Sequence, residues 1–344
     1  METTGQQSGS RRLQELDALR GIGALAVVLF HYTTRFHEMF PAAQHVPYGL
    51  IGGNYRVLLF FAISGFAIFF TLDRIGSAAD FVMNRFSRLY PVYWIAIVLT
   101  VLVEYLGNVT ALQIPPWAIV ANFSMLEGFA FLPQVDGAYW TLTVEVAFYA
   151  CMMALWLSPW RHRLEPVLIG WLACKWLYAA WPDMPERIIM LLILRYVPFF
   201  AIGMLSYRVW SGQRSWRQQW PYMAAVIVTI AALESRAYLI AALILVVAFA
   251  AMIAGRLRFL CVRPLLWLGS ISYSLYLVHQ HIGFVVMLKA DELGIDPWVG
   301  CALAILIALS LAVGLNRLVE RPAQRVIERW WRARSPRRAQ SAAA

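Results

Sequence analysis

Apolar stretches of a length that only lipid rewards recur along this chain from Ala18 almost to its C-terminus. Each runs for about 17 to 25 residues, the span an α-helix needs to cross a hydrocarbon layer. A backbone in lipid must satisfy its own N–H and C=O groups, and segments of this kind do so as helices. The expected fold class is therefore all-α, a polytopic membrane protein of about ten transmembrane helices. Composition agrees, with 61% hydrophobic and 14% charged residues among 344 and a mean hydropathy of +0.62. The net charge of +10 would suggest a nucleic-acid partner in a soluble protein. Here its placement in short loops points to membrane lipids instead, and no nucleic acid is expected. Cys151, Cys174, Cys261 and Cys301 lie in apolar segments without metal or redox spacing and are expected to be inert.

The first span begins near Leu16, behind Arg11 and Arg12, and lacks a small-residue cleavage site before Arg35, so it reads as a retained anchor. Hydrophobic periodicity predicts further spans over residues 50–72, 89–106, 139–157, 164–181, 188–207, 222–233, 238–254, 265–288 and 298–319. Residues 117–132 are apolar but short and flanked by prolines, and are expected to be interfacial or re-entrant. Alternate loops carry the cations: Arg74, Arg85 and Arg88, then Arg161 and Arg163, then Arg208, Arg214 and Arg217, then Arg256, Arg258 and Arg263. The positive-inside rule makes those loops and both termini cytoplasmic. The expected organisation is a disordered N-terminus over 1–12, a membrane domain over 13–325 and a basic tail over 326–344, in a bacterial inner membrane.

At membrane depth an ionisable side chain costs several kcal/mol unless it is paired or faces a cavity, so each one marks a candidate site. Arg20 and His31 lie eleven residues apart in the first span. At 100° per residue they share a face to within about 20° and stand about 16 Å apart along the axis. A guanidinium at the cytoplasmic surface can hold phosphate bidentately, while an imidazole able to exchange a proton near neutral pH waits deeper. Coenzyme A, with a polyanionic head and a long arm, has the matching shape. The plainer alternative makes Arg20 a headgroup anchor and His31 a packed, hydrogen-bonded histidine.

Residues 139–149 place Thr141, Glu145 and Tyr149 on one face, with Trp140 marking the outer interface. Glu145 then lies about 8 Å below that interface and needs a partner, which a neighbouring helix or a substrate cavity could supply. Residues 269–281 include Tyr273 and His279, the latter about 18 Å beyond Trp267. His31, Glu145 and His279 are thus expected at one level. Ser64 and Gly65, with Arg56 and Arg195, are candidates to complete a polar cavity, each as readily structural. Arg85 and Arg88, at i and i+3, can face one anion from a helix and form a basic mouth with Arg20, or anchor acidic lipid. His37, His45 and His162 lie in loops and carry no expectation.

Several of these segments together resemble one family. They are Leu16-Asp17-Ala18-Leu19-Arg20-Gly21 followed by Phe30-His31-Tyr32, then Phe60-Phe61-Ala62-Ile63-Ser64-Gly65-Phe66, then Arg85 to Arg88, Tyr139 to Tyr149, and Tyr273 to His279. In that order, over roughly residues 13–325, the chain resembles the acyltransferase 3 family of integral-membrane O-acyltransferases. The resemblance implies a ten-helix domain that uses cytoplasmic acyl-CoA, here acetyl-CoA by expectation, to acylate hydroxyls of surface carbohydrates or lipid-linked sugars. It also implies that His31 is the essential histidine, Arg20 the arginine spaced with it, and Arg85 and Arg88 the paired arginines. Some members append an extracytoplasmic hydrolase-like domain, which is not expected here because the sequence stops soon after its last span.

The reading is thus an O-acyltransferase with His31 and Glu145 as catalytic groups and Arg20, Arg85 and Arg88 as donor-binding groups. Ser64, Trp140, Thr141, Tyr149, Tyr273 and His279 would line the substrate cavity. No metal and no permanently bound cofactor is expected, acyl-CoA being a substrate. His31 is either general base or transient acyl carrier. A proton-coupled transporter or lipid-linked-substrate flippase is the rival, and it would need interrupted helices in matching halves.

Overall fold

A computed structural model describes residues 14–50 and 55–334; the expected disordered segment 1–12 and residues 335–344 of the basic tail lie outside it. Among the described residues every regular element is helical. Five helices are long and apolar enough to cross a membrane, and a bent pair makes a sixth. The first is α1 (Gln14–Phe30), continued by a π-turn at His31–Arg35 and the short α2 (Phe36–Met39). A shorter apolar helix, α3 (Arg56–Leu72), follows; the predicted span 50–72 starts too early, because Leu50 is in an exposed loop.

Helix α4 runs from Ala78 to Leu106, eleven residues longer at its start than the apolar stretch predicts. Ser77 caps it by accepting from the Asp80 N–H. The first three turns mix apolar residues with Asp80, Asn84, Arg85, Ser87 and Arg88, so hydropathy alone misses them, yet Arg85 and Arg88 are part of the helix. Pro91 lies within it without ending it. Residues 116–130 form only α5 (Pro116–Asn122) and a 3₁₀ turn, too short to cross a membrane. Next come α6 (Trp140–Leu157) and α7 (Leu164–Ala180).

The predicted span 188–207 is broken into α8 (Glu186–Leu191) and α9 (Val197–Trp210). Ile193 holds the break in the left-handed region, at φ 47°, a conformation that costs a β-branched residue on the order of 1–3 kcal/mol. Non-helical backbone survives at membrane depth only where its polar groups find protein partners. Trp171 Nε1 donates to Leu192 O at 2.6 Å and Lys175 Nζ to Leu194 O at 3.1 Å, both from α7.

Helices α10 (Trp216–Leu233) and α11 (Arg236–Ile253) lead to a second break. The predicted span 265–288 is α12 (Arg263–Val278) and α13 (Gln280–Glu292), bent by 70° at His279. Its loosened carbonyls are also taken: Tyr139 OH donates to Leu277 O at 2.9 Å and Tyr32 OH to His279 O at 2.6 Å. Helix α14 (Pro297–Leu315) passes through a π-turn into α15 (Arg321–Arg334). The expected boundary at 325/326 therefore falls inside a helix, which Trp331 fastens to α4 through Asp80 at 2.7 Å.

Two close helix pairs frame the interior. A Cβ on Gly65 of α3 would lie 2.2 Å from Phe200 O of α9, and one on Gly203 would lie 1.8 Å from Ala62 O. Gly21 of α1 and Gly269 of α12 touch the opposite backbone at 2.4 and 2.0 Å in the same sense. Lipid tails offer helices no hydrophobic gain from association, so such backbone proximity supplies the packing energy instead. The glycines of the two motifs read from sequence are thus packing residues.

Candidate active site

Between these pairs lies a cavity of about 90 Å³, lined from α1, α3, α4, α6 and α12. Eight of the predicted residues line it: Arg20, Ser64, Arg85, Arg88, Thr141, Glu145, Tyr149 and Tyr273. Arg20 is expected at the cytoplasmic surface, but it projects into this cavity with only 19% of its side chain exposed, and Asp17 accepts from it at 3.3 Å. Arg85 is buried, donating to Thr71 Oγ1 at 2.8 Å and Asn84 Oδ1 at 2.9 Å, with its guanidinium 5.4 Å from the Tyr149 ring centre. Among the described residues its Nε has no hydrogen-bond partner. A buried donor of this kind is costly to leave unpaired, which favours an anion in the cavity.

Glu145 accepts from Ser64 Oγ at 3.1 Å and from the Tyr149 hydroxyl. The carboxylate therefore belongs with the arginines. Tyr273 donates to Leu89 O at 3.1 Å, bridging α12 to α4. Trp140 is absent from the cavity wall; its ring packs on Tyr196 at 5.6 Å and Phe61 at 6.3 Å.

His31 and His279 form a second, adjoining cluster rather than part of the same lining. His31 Nδ1 lies 2.8 Å from Val27 O and 3.2 Å from His279 Nε2, and the rings meet edge to face at 4.8 Å. His279 is fully buried, with Nδ1 2.7 Å from Tyr276 O. A carbonyl oxygen can only accept, so both Nδ1 atoms carry hydrogen, and in the neutral rings both Nε2 atoms carry the lone pair. The group expected to orient His31 is Glu145; among the described residues the His31 ring meets His279 and Phe30, with ring centres 4.8 and 5.2 Å away. Tyr276 joins the clusters, since it lines the cavity, stands 5.6 Å from the His279 ring, and has its hydroxyl 2.5 Å from Thr141 Oγ1 and 2.6 Å from Ala138 O.

Sequence reasoning passes over the groups that hold the bend at His279. His281 Nδ1 lies 2.7 Å from Glu104 Oε1, while its Nε2 accepts from the Gly137 N–H at 3.2 Å, so Nδ1 is the donor. Asp136 accepts from the His281 and Ala138 backbone N–H groups at 2.9 and 2.8 Å. Glu104, Asp136 and His281 are all buried. The signal was available, because Glu104 and His281 satisfy the same criterion of ionisable groups within apolar runs. Arg195 points elsewhere, to Glu186 at 2.6 and 2.9 Å, and the side chain of Arg56 lies outside the described residues.

The sequence that builds this helical fold and its cavity is similar to those of known proteins. Residues 13–317 match the model of the acyltransferase 3 domain, described as an acyltransferase domain, and the chain belongs to that family. It is a membrane acyltransferase. The exopolysaccharide production protein ExoZ of Rhizobium meliloti (strain 1021) is 25% identical over 309 residues, 83% of this chain and 93% of that protein. Nodulation protein 10 of Rhizobium leguminosarum bv. viciae is 27% identical over 180 residues, and the match spans 48% of its length and 47% of this chain. The acyltransferase MdmB of Streptomyces mycarofaciens is 27% identical over 148 residues, 40% of this chain and 38% of that protein. No solved structure matches this chain.

Proposed function

We propose that this acyltransferase moves an acetyl group from cytoplasmic acetyl-CoA to a hydroxyl of a surface or exported glycan, free or lipid-linked. The observation that carries the reading is the His31–His279 pair beside an arginine-lined cavity. With Nδ1–H of His31 directed at Val27 O and His279, its Nε2 lone pair is the basic one. In the direct route the acceptor oxygen attacks the thioester carbonyl while His31 Nε2 takes its proton. The C–S bond then breaks and the same proton passes to the departing thiolate. In the carrier route Nε2 attacks the thioester carbonyl first, the C–S bond breaks to leave a thiolate beside the acyl-imidazolium, and the acceptor hydroxyl then attacks the acyl carbon, so that the C–N bond breaks and the hydroxyl proton passes to the thiolate. In either route the charge that develops on the imidazole is shared with His279 through Nδ1–H.

The cavity of about 90 Å³ is too narrow for a whole nucleotide but suits a slender arm. Arg20, Arg85 and Arg88 would hold the phosphates at its basic side, and Glu145 would fix Tyr149 and Ser64 along the arm. The alternation of basic loops supports ten spans with cytoplasmic termini, and the bacterial relatives support a bacterial inner membrane. A glycan acceptor is supported by the similarity to an exopolysaccharide production protein.

The test is acetyl transfer by protein in sealed proteoliposomes supplied with labelled acetyl-CoA on one side and total cell-surface glycan on the other. Label in glycan that depends on both substrates is expected, and disappears in His31→Ala. Label transferred equally by His31→Ala would remove the assigned base. Trapping labelled protein in a single turnover without acceptor would select the carrier route.

A further inference from the structure

On the side of the molecule away from the arginine cavity, the ends of α7, α10 and α11 and the break before α9 enclose a larger hollow of about 460 Å³. None of the groups given a part in the transfer lines it. Three phenol rings do, Tyr178, Tyr196 and Tyr238, together with Lys175, Arg195 and Glu234. We infer that this hollow is a docking site for one to two sugar units of a neutral carbohydrate acceptor. The inference rests on the proposed function and says where its acceptor is held.

The charges are balanced before any ligand arrives. Lys175 Nζ donates to Glu234 Oε1 at 2.7 Å, with 3% of the lysine and 22% of the glutamate side chain exposed. Arg195 forms a two-pronged bond to Glu186 at 2.6 and 2.9 Å. Each cation is thus matched by a carboxylate, and an anionic lipid headgroup would have to displace one of them. A neutral polyol asks for the opposite: oriented donors and acceptors already fixed in place, beside flat rings whose electron-rich faces accept its C–H bonds. The lysine offers three hydrogens, of which Glu234 and Leu194 O take two.

The local fold is arranged around this hollow. The left-handed Ile193 ends α8 and turns Arg195 and Tyr196 into the wall, and the lysine that caps Leu194 O is the same one that pairs with Glu234. Tyr196 packs on Phe61 at 4.9 Å and on Trp140 at 5.6 Å, and Phe61 lines the arginine cavity. One layer of aromatic rings therefore separates the hollow from the cavity. This gives Trp140 a place in the protein, as part of the partition rather than of the cavity lining.

The test uses the full chain in nanodiscs and a ladder of neutral gluco-oligosaccharides of one to six units, with coenzyme A titrated separately. Saturable oligosaccharide binding is expected, weakened about tenfold or more by Tyr178→Ala and Tyr238→Ala and restored by Tyr238→Phe, which keeps the ring. Coenzyme A affinity should be the same in all three variants, which also shows that they are folded. Coenzyme A binding without oligosaccharide binding, or oligosaccharide binding equal in native protein and both alanine variants, overturns the docking site and leaves the proposed function standing. Oligosaccharide binding that is lost in the alanine variants, in a protein that fails to bind coenzyme A, upholds the docking site and sinks the donor reading. Vesicles rich in anionic lipid competing with the oligosaccharide would also overturn it, because the site would then be a headgroup site.

Discussion

The chemistry of His31 is set by two atoms that its own position in sequence does not reveal: Val27 O and His279 Nε2, both within reach of Nδ1. His279 touches His31 and does not line the cavity, so in the proposed reaction it would be a positioning residue. His279→Ala is expected to lower kcat by roughly 10- to 100-fold while leaving donor KM near normal, against a loss of about 10²-fold or more for His31→Ala. A glutamine at 279 can still offer an amide to His31, so His279→Gln should recover part of that kcat. A structural role alone would instead lower the amount of folded protein without moving kcat. Arg85, whose buried guanidinium is held by Thr71 and Asn84, has a different proposed part. Arg85→Ala should raise the Kd for acetyl-CoA about tenfold, read by direct titration, with single-turnover transfer at saturating donor largely kept. Equal donor affinity in that variant would return Arg85 to a purely structural part.

At the scale of elements, the site depends on helices that stop being helices. The break at His279 and the π-turn from His31 face each other, and Tyr32 of the π-turn donates to His279 O. Neither is announced by glycine or proline, which is why hydrophobic periodicity runs straight through residues 265–288. The freed carbonyls are met by Tyr32, Tyr139 and the His279 ring, none of which is near in sequence except the last. Arg20 lies in α1, which is α-helical as far as Phe30, and His31 opens the π-turn; at helical rise the two stand about 16 Å apart along the axis. One alanine inserted after Ala24 would turn His31 by about 100° and pull Tyr32 from His279 O, whereas four would keep the face but shift the imidazole about 6 Å. Neither protein should turn over, but the four-residue insertion should retain measurable acetyl-CoA binding. Turnover by it, in folded protein, would mean that the donor's arm does not set this distance.

Over the whole molecule, charge is sorted between the two ends. Asp73 accepts from Tyr207 and Gln213 at 2.6 and 2.7 Å, and Glu165 meets Arg208, Arg214 and Gln219, all at the arginine-rich end. The other end carries the Lys175–Glu234 and Arg195–Glu186 pairs. In a cysteine-free background, Asp183→Cys should react with a membrane-impermeant maleimide in intact cells, and Gln213→Cys only after permeabilisation. The reverse pattern would invert the proposed topology.

The sequence by itself determined that the chain is helical, membrane-bound and an acyltransferase, because lipid permits few backbone solutions and because the motif residues stand in one order along the chain. It also marked eight of the residues that line the arginine cavity. Tertiary structure alone decided which of them work together. Depth along a helix can be read from spacing, but which side chain faces which depends on how the helices are rotated against one another, and the glycine contacts at 65, 203, 21 and 269 fix that for α3 against α9 and for α1 against α12. For that reason Glu145 sits with the arginines, His279 behind His31, and Trp140 in a partition between two cavities, although spacing along the sequence puts His31, Glu145 and His279 at one level.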